Sequence, residues 1–93
     1  CYKTLSTDKA VVKGNIEKSC YQLIECIFSY QINQTERIRQ KYLKDFLVQL
    51  SMLNFYMETS FDKKYITKRQ YEVVARFLIE IRKITYGVIK SAQ

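Results

Sequence analysis

With 93 residues, 47% of them hydrophobic and 27% charged, the chain is one globular domain (1–93) rather than a disordered segment. Its core is small enough that a further element or a second subunit would help to complete it. Proline is absent and glycine occurs twice, which argues against a turn-rich all-β domain and for a few long helices, and no apolar run approaches the ~20 residues that a membrane-spanning helix needs.

The first helix starts at a cap supplied by Ser6, Thr7 or Asp8 and runs to about Ile32, with Val12, Ile16, Cys20, Leu23, Ile24, Ile27 and Phe28 on its buried side. Gly14 weakens its opening turns unless another backbone comes close there. Asn33 and Glu36, three residues apart, resemble a capping box for a second helix over residues 35–60. In that helix Ile38, Tyr42, Phe46 and Leu53 fall near one line, while Leu43, Leu47, Leu50, Met57 and Phe61 extend around the side. A helix apolar over so wide an arc contacts more than one neighbour.

The third helix carries the clearest local signal. Thr67 and Gln70 form a reciprocal capping box, Ile66 and Tyr71 a hydrophobic staple, and Tyr71, Val74, Leu78, Ile81, Thr85 and Val88 a single seam reaching to about Lys90. Gly87 is placed to begin its unwinding or to admit a tight contact. The short connections between helices predict an all-α, antiparallel up-down bundle of three long helices. Tyr30, Tyr56, Tyr65, Phe77, Ile84, Tyr86 and Ile89 fall partly off the seams. That surplus calls for cover by a fourth helix, N-terminal to the other three, or by oligomerisation. The chain has no initiator methionine, which leads us to expect a piece of a longer protein.

The chemistry is bounded by what the residues lack. Without histidine there is no histidine acid/base catalysis, no triad built on it and no Cys/His zinc site. The nine carboxylates are dispersed, and no Gly-rich phosphate loop or Cys-x-x-Cys pair appears. We expect no enzyme, cofactor or metal site. Cys1, Cys20 and Cys26 are odd in number, and a six-residue step on one helix does not bring Cys20 and Cys26 together for a bridge. All three read as reduced thiols, Cys20 on the core side, which suits a cytoplasmic setting. The first six residues lack the apolar stretch of a secretory signal.

Sixteen Lys+Arg against nine Asp+Glu give a formal charge of +7, which suits nucleic acid, an anionic membrane or an acidic protein. Antiparallel packing would sort the cations by end. Lys9, Lys13 and Lys18 on the first helix join Lys63, Lys64, Lys68 and Arg69 at the second junction, while Arg37, Arg39, Lys41 and Lys44 open the second helix near Arg82, Lys83 and Lys90. The two groups are candidate phosphate contacts, with affinity falling as salt rises. The alternative is that these long side chains merely keep exposed turns in solution. Tyr65, beside the junction cations, is placed to stack on unpaired bases, whereas Tyr71 belongs to the core. With no base-reading motif, recognition would go through backbone and shape.

Three stretches resemble a known family. Lys13-Gly14-Asn15-Ile16-Glu17, then Tyr65-Ile66-Thr67-Lys68-Arg69-Gln70-Tyr71, then Glu80-Ile81 through Gly87-Val88-Ile89-Lys90-Ser91 are similar to the start of the second helix, the turn before the last helix and the C-terminal stretch of the Avd-like four-helix-bundle family. Its members are accessory proteins of diversity-generating retroelements, related to proteins encoded in 23S rRNA intervening sequences. Arg82-Lys83 and Tyr86-Gly87-Val88 depart from the Gly-Arg and Gly-Gly-Trp of that pattern. The resemblance implies a non-enzymatic protein that forms a ring, a pentamer in this family, and binds the element's RNA or DNA and its reverse transcriptase. It also implies that residues 1–5 are the tail of a first helix. A helical scaffold or protein-interaction module without nucleic-acid binding is the competing expectation.

Overall fold

The computed structural model describes residues 8–91, which form three α-helices and, among the described residues, no strand. They are α1 (Lys9–Ile32), α2 (Glu36–Asp62) and α3 (Lys68–Ser91). The expectations for residues 1–7, the Cys1 thiol and the Ser6 and Thr7 caps among them, lie outside the described residues.

Asp8 caps α1, its carboxylate accepting from the Ala10 amide at 2.9 Å. At the other end Asn33 does not open the next helix. Its side-chain amide donates to the Ser29 carbonyl at 2.7 Å and its backbone N–H donates to the same oxygen at 3.3 Å, so it closes α1 instead of capping α2. The expected Asn33–Glu36 box is therefore not formed. Thr35 takes the cap position of α2 without a side-chain hydrogen bond. The box before α3 is formed: the Gln70 amide donates to Thr67 Oγ1 at 3.1 Å, and the Thr67 amide donates to Gln70 Oε1 at 2.9 Å.

α2 is the central element. Its interface with α1 is the most extensive, α3 packs against it less extensively, and α1 and α3 meet only slightly. Leu50, Leu53 and Leu78 form the core, with Ile16, Leu23, Phe46, Leu47, Met57 and Val74 packed against it. Val12 and Ile89 are buried further along. Phe61 and Tyr71 stack near the α2–α3 turn with ring centroids 5.0 Å apart.

The buried line of α1 is shifted from the expected one. Val12 and Ser19 are buried, and Ile16, Leu23, Cys26 and Tyr30 are half-buried, an unbroken alternation of four- and three-residue steps. Cys20, Ile24, Ile27 and Phe28 lie beside this seam, exposed; Cys20 is not on the core side. On α3 Ile81 and Val88, both 37% exposed, fall off the expected seam, which runs on to the buried Ile89. A Cβ at Gly14 or Gly87 would meet nothing within 4 Å, and α3 continues through Gly87 to Ser91. Neither glycine marks a close backbone approach or an unwinding point.

Candidate nucleic-acid interface

The α2–α3 turn is built by a helix-ending motif. Past the Lys63 cap, the Tyr65 amide donates to the Ser60 carbonyl at 2.8 Å and the Lys64 amide to the Phe61 carbonyl at 3.0 Å, the paired bonds of a Schellman motif. That motif needs a left-handed residue, and here it is Lys64, with φ 63°, where glycine is normally found. Two turn residues later the capping box starts α3 with Lys68 and Arg69 in its first turn. The motif thus packs Lys63, Lys64, Lys68 and Arg69, all exposed, around a few residues of chain.

The start of α1 reaches the same place. Lys9 Nζ lies 5.9 Å from the centroid of the half-buried Tyr65 ring, and Lys13 is exposed about one turn further along α1. Lys9 therefore lies beside the turn, where the sorting of cations by end puts it. Lys18 does not join them. It borders a cleft with Asn15, Met52 and Tyr56, between α1 and the middle of α2. The carboxylate balance is partial, since Lys68 Nζ lies 3.9 Å from exposed Glu72, a contact that contributes little in water.

At the start of α2, Arg37, Lys41 and Lys44 are exposed at i, i+4 and i+7, on one helix face. Arg39 points elsewhere. It is half-buried, with its guanidinium 4.1 Å from the centroid of the Tyr30 ring and 3.8 Å from Glu36. Its Nε is buried without a hydrogen-bond partner. Its charge is committed to fastening α2 to the end of α1, so it is the least available of the four to a phosphate. Arg82 donates to Ser51 Oγ at 3.4 Å, at the middle of α2 rather than beside its first turn.

Cys26, Glu25 and Asp45 line a cleft between α1 and α2. Burial, then the carboxylates of Asp45 and Glu25, push the Cys26 thiol up from its ordinary range, which keeps it protonated and a poor nucleophile at neutral pH. Among the described residues no group of three or more Cys, Asp or Glu side chains is arranged to hold a metal. No helix among them is long and apolar enough to cross a membrane.

The arrangement is thus that of an all-α basic chain with an exposed cluster of cations at the α2–α3 turn. No family model, curated protein or solved structure matches the chain.

Proposed function

We propose that this chain is a non-enzymatic nucleic-acid-binding accessory protein. In this reading it contacts RNA through Lys63, Lys64, Lys68 and Arg69, with Lys9 and Lys13 extending the patch and Arg37, Lys41 and Lys44 supplying a second. Its helices run up, down and up, and a fourth helix or further subunits complete the bundle. On the resemblance stated above, the nucleic acid belongs to a diversity-generating retroelement, the protein partner is its reverse transcriptase, and the assembly is a pentamer.

The observation that carries the reading is Lys64. A lysine at φ 63° costs roughly 1 kcal/mol relative to glycine. Lys68 and Arg69 at a helix start oppose the macrodipole by a few tenths more. Cations held where they weaken the fold are accounted for by a ligand that needs them.

The test is a filter-binding titration with a retroelement RNA, at two or more salt concentrations, on wild type and on the Lys63→Glu, Lys64→Glu, Lys68→Glu, Arg69→Glu variant. The expected result is weaker binding with a flatter salt slope, each lost phosphate contact reducing the slope by about 0.7–0.9. Unchanged affinity and slope would exclude this patch. A specific observation favours the competing protein-interaction reading, namely the large exposed apolar side chains Phe28, Phe55, Phe77 and Ile84, and a chain with no RNA affinity at low salt would leave that reading standing.

A further inference from the structure

α3 carries a second apolar line besides the seam that packs on α2. Val73, Phe77, Ile81, Ile84 and Val88 are all exposed, Phe77 by 65% and Ile84 by 64%. Their four- and three-residue steps confine them to an arc of about 80° over a length of roughly 22 Å. Toward the end of α3 this line becomes the wall of an apolar cleft of about 160 Å³, in which Ile84 and Val88 face Ile27 of α1 and Leu43 and Phe46 of α2. Because α1 and α3 barely meet, the cleft stays open.

Along the outer side of that line runs a row of cations. Arg69, Arg76, Lys83 and Lys90 are exposed and spaced seven residues apart, so a nearly straight helix keeps them on one side. Among the described residues none of the four makes an ion pair. Two acids lie nearby: Glu80 between the row and the apolar line, and Glu72, which is 3.9 Å from Lys68.

We infer that this flank of α3 docks an amphipathic helix of another protein, whose apolar seam lies on Phe77 and Ile84 and whose flanking positions carry carboxylates. A heptad-spaced stripe selects a helix, because a helix satisfies its own backbone while laying a matching seam in the groove. The cation row selects the charge. A two-fold pair of this chain on the same flank is disfavoured by the same row. In an antiparallel two-fold pair each flank meets its own copy, which would set Arg76 and Lys83 against cations, on chains that each carry +7. The inference goes beyond the reading above in naming a helix of another protein as the cover for this flank, and it is independent of nucleic-acid binding.

The probe is a labelled helical peptide with leucine at the seam positions and glutamate at both flanks, measured by fluorescence anisotropy against an otherwise identical peptide with lysine flanks. The full chain should bind the glutamate peptide at least about tenfold more tightly than the lysine peptide. Phe77→Glu should abolish that binding, while Arg76→Glu with Lys83→Glu should invert the preference. Both variants alter exposed positions, and a circular dichroism spectrum matching wild type shows that they fold. Equal affinity for the two peptides, binding indifferent to Phe77→Glu, or no inversion would each overturn the inference. So would sedimentation as a dimer that Phe77→Glu dissociates, which would give the flank to a second copy and leave bundle completion standing. RNA binding lost in the Arg76→Glu, Lys83→Glu variant, with neither peptide bound, would give the row to nucleic acid.

Discussion

Lys64 separates stability from binding within one side chain. Its backbone sits where a Cβ is penalised, and the amides of Lys63, Lys64 and Tyr65 already donate to the Thr59, Phe61 and Ser60 carbonyls, so replacement by glycine leaves the turn intact. Lys64→Gly should raise the unfolding free energy by roughly 1 kcal/mol and at the same time weaken RNA binding by removing one cation. Denaturant melts and filter binding on the same preparation read the two effects. A variant that becomes more stable and binds as before would mean that Lys64 is a tolerated residue in a strained position. Arg39 shows the reverse arrangement: it is sited among cations in the sequence, yet the Tyr30 ring and Glu36 take up its guanidinium. Its neighbours in sequence do not reveal this, because the ring comes from the preceding helix.

At the scale of the helix, local signals were legible where both partners of an interaction lie within a few residues. The Thr67–Gln70 box is made as the sequence predicts, and α3 starts at Lys68 as its position requires. The Asn33–Glu36 spacing is equally box-like, but Asn33 has a competing acceptor in the Ser29 carbonyl, and a helix end wins over a helix start. Thr67→Ala should therefore cost about 1 kcal/mol, whereas Glu36→Ala, which loses only the exposed contacts to Arg39 and Gln40, should change stability by less than about 0.5 kcal/mol. Chemical denaturation of the two variants checks this, and equal losses would show that Glu36 has a capping role after all. The buried face of α1 was less legible for a different reason. Its seam contains Ser19, which is 4% exposed, while Ile24, Ile27 and Phe28 beside it are 44–60% exposed. Hydrophobicity pointed to the more apolar flank, and the unbroken four- and three-residue spacing from Val12 to Tyr30 was the better guide. The patch at the α2–α3 turn could be read from sequence because its four cations are neighbours in the chain. The placing of Lys9 near that turn follows from sorting the cations by end, whereas that of Lys18 away from it depends on how α1 lies on α2, which no local pattern encodes. The row from Arg69 to Lys90 was in the sequence as a seven-residue repeat, but it becomes notable only beside an apolar line that the fold leaves uncovered.

For the molecule as a whole, the interfaces are unequal. α1 and α2 share the larger contact, and α3 rests on α2 through Leu78 and the half-buried Val74 and Tyr71, with little help from α1. An element with fewer buried contacts opens at lower free energy than the rest of the domain. Native-state hydrogen exchange should therefore give lower protection over residues 75–88 of α3 than over residues 43–57 of α2, which lie between both neighbours. Leu50 is fully buried at the centre of the core, so Leu50→Ala should cost roughly 2–5 kcal/mol and lower protection in all three helices together. Phe77→Ala, at a side chain largely in solvent, should leave protection nearly unchanged in the chain alone. Binding of a helix along the α3 flank stabilises only the state in which α3 is docked, so it should raise protection selectively over residues 75–88 by an amount that grows with ligand concentration. Equal protection in α2 and α3 of the unliganded chain would mean that the three helices open as one unit and that α3 needs no further partner to hold it.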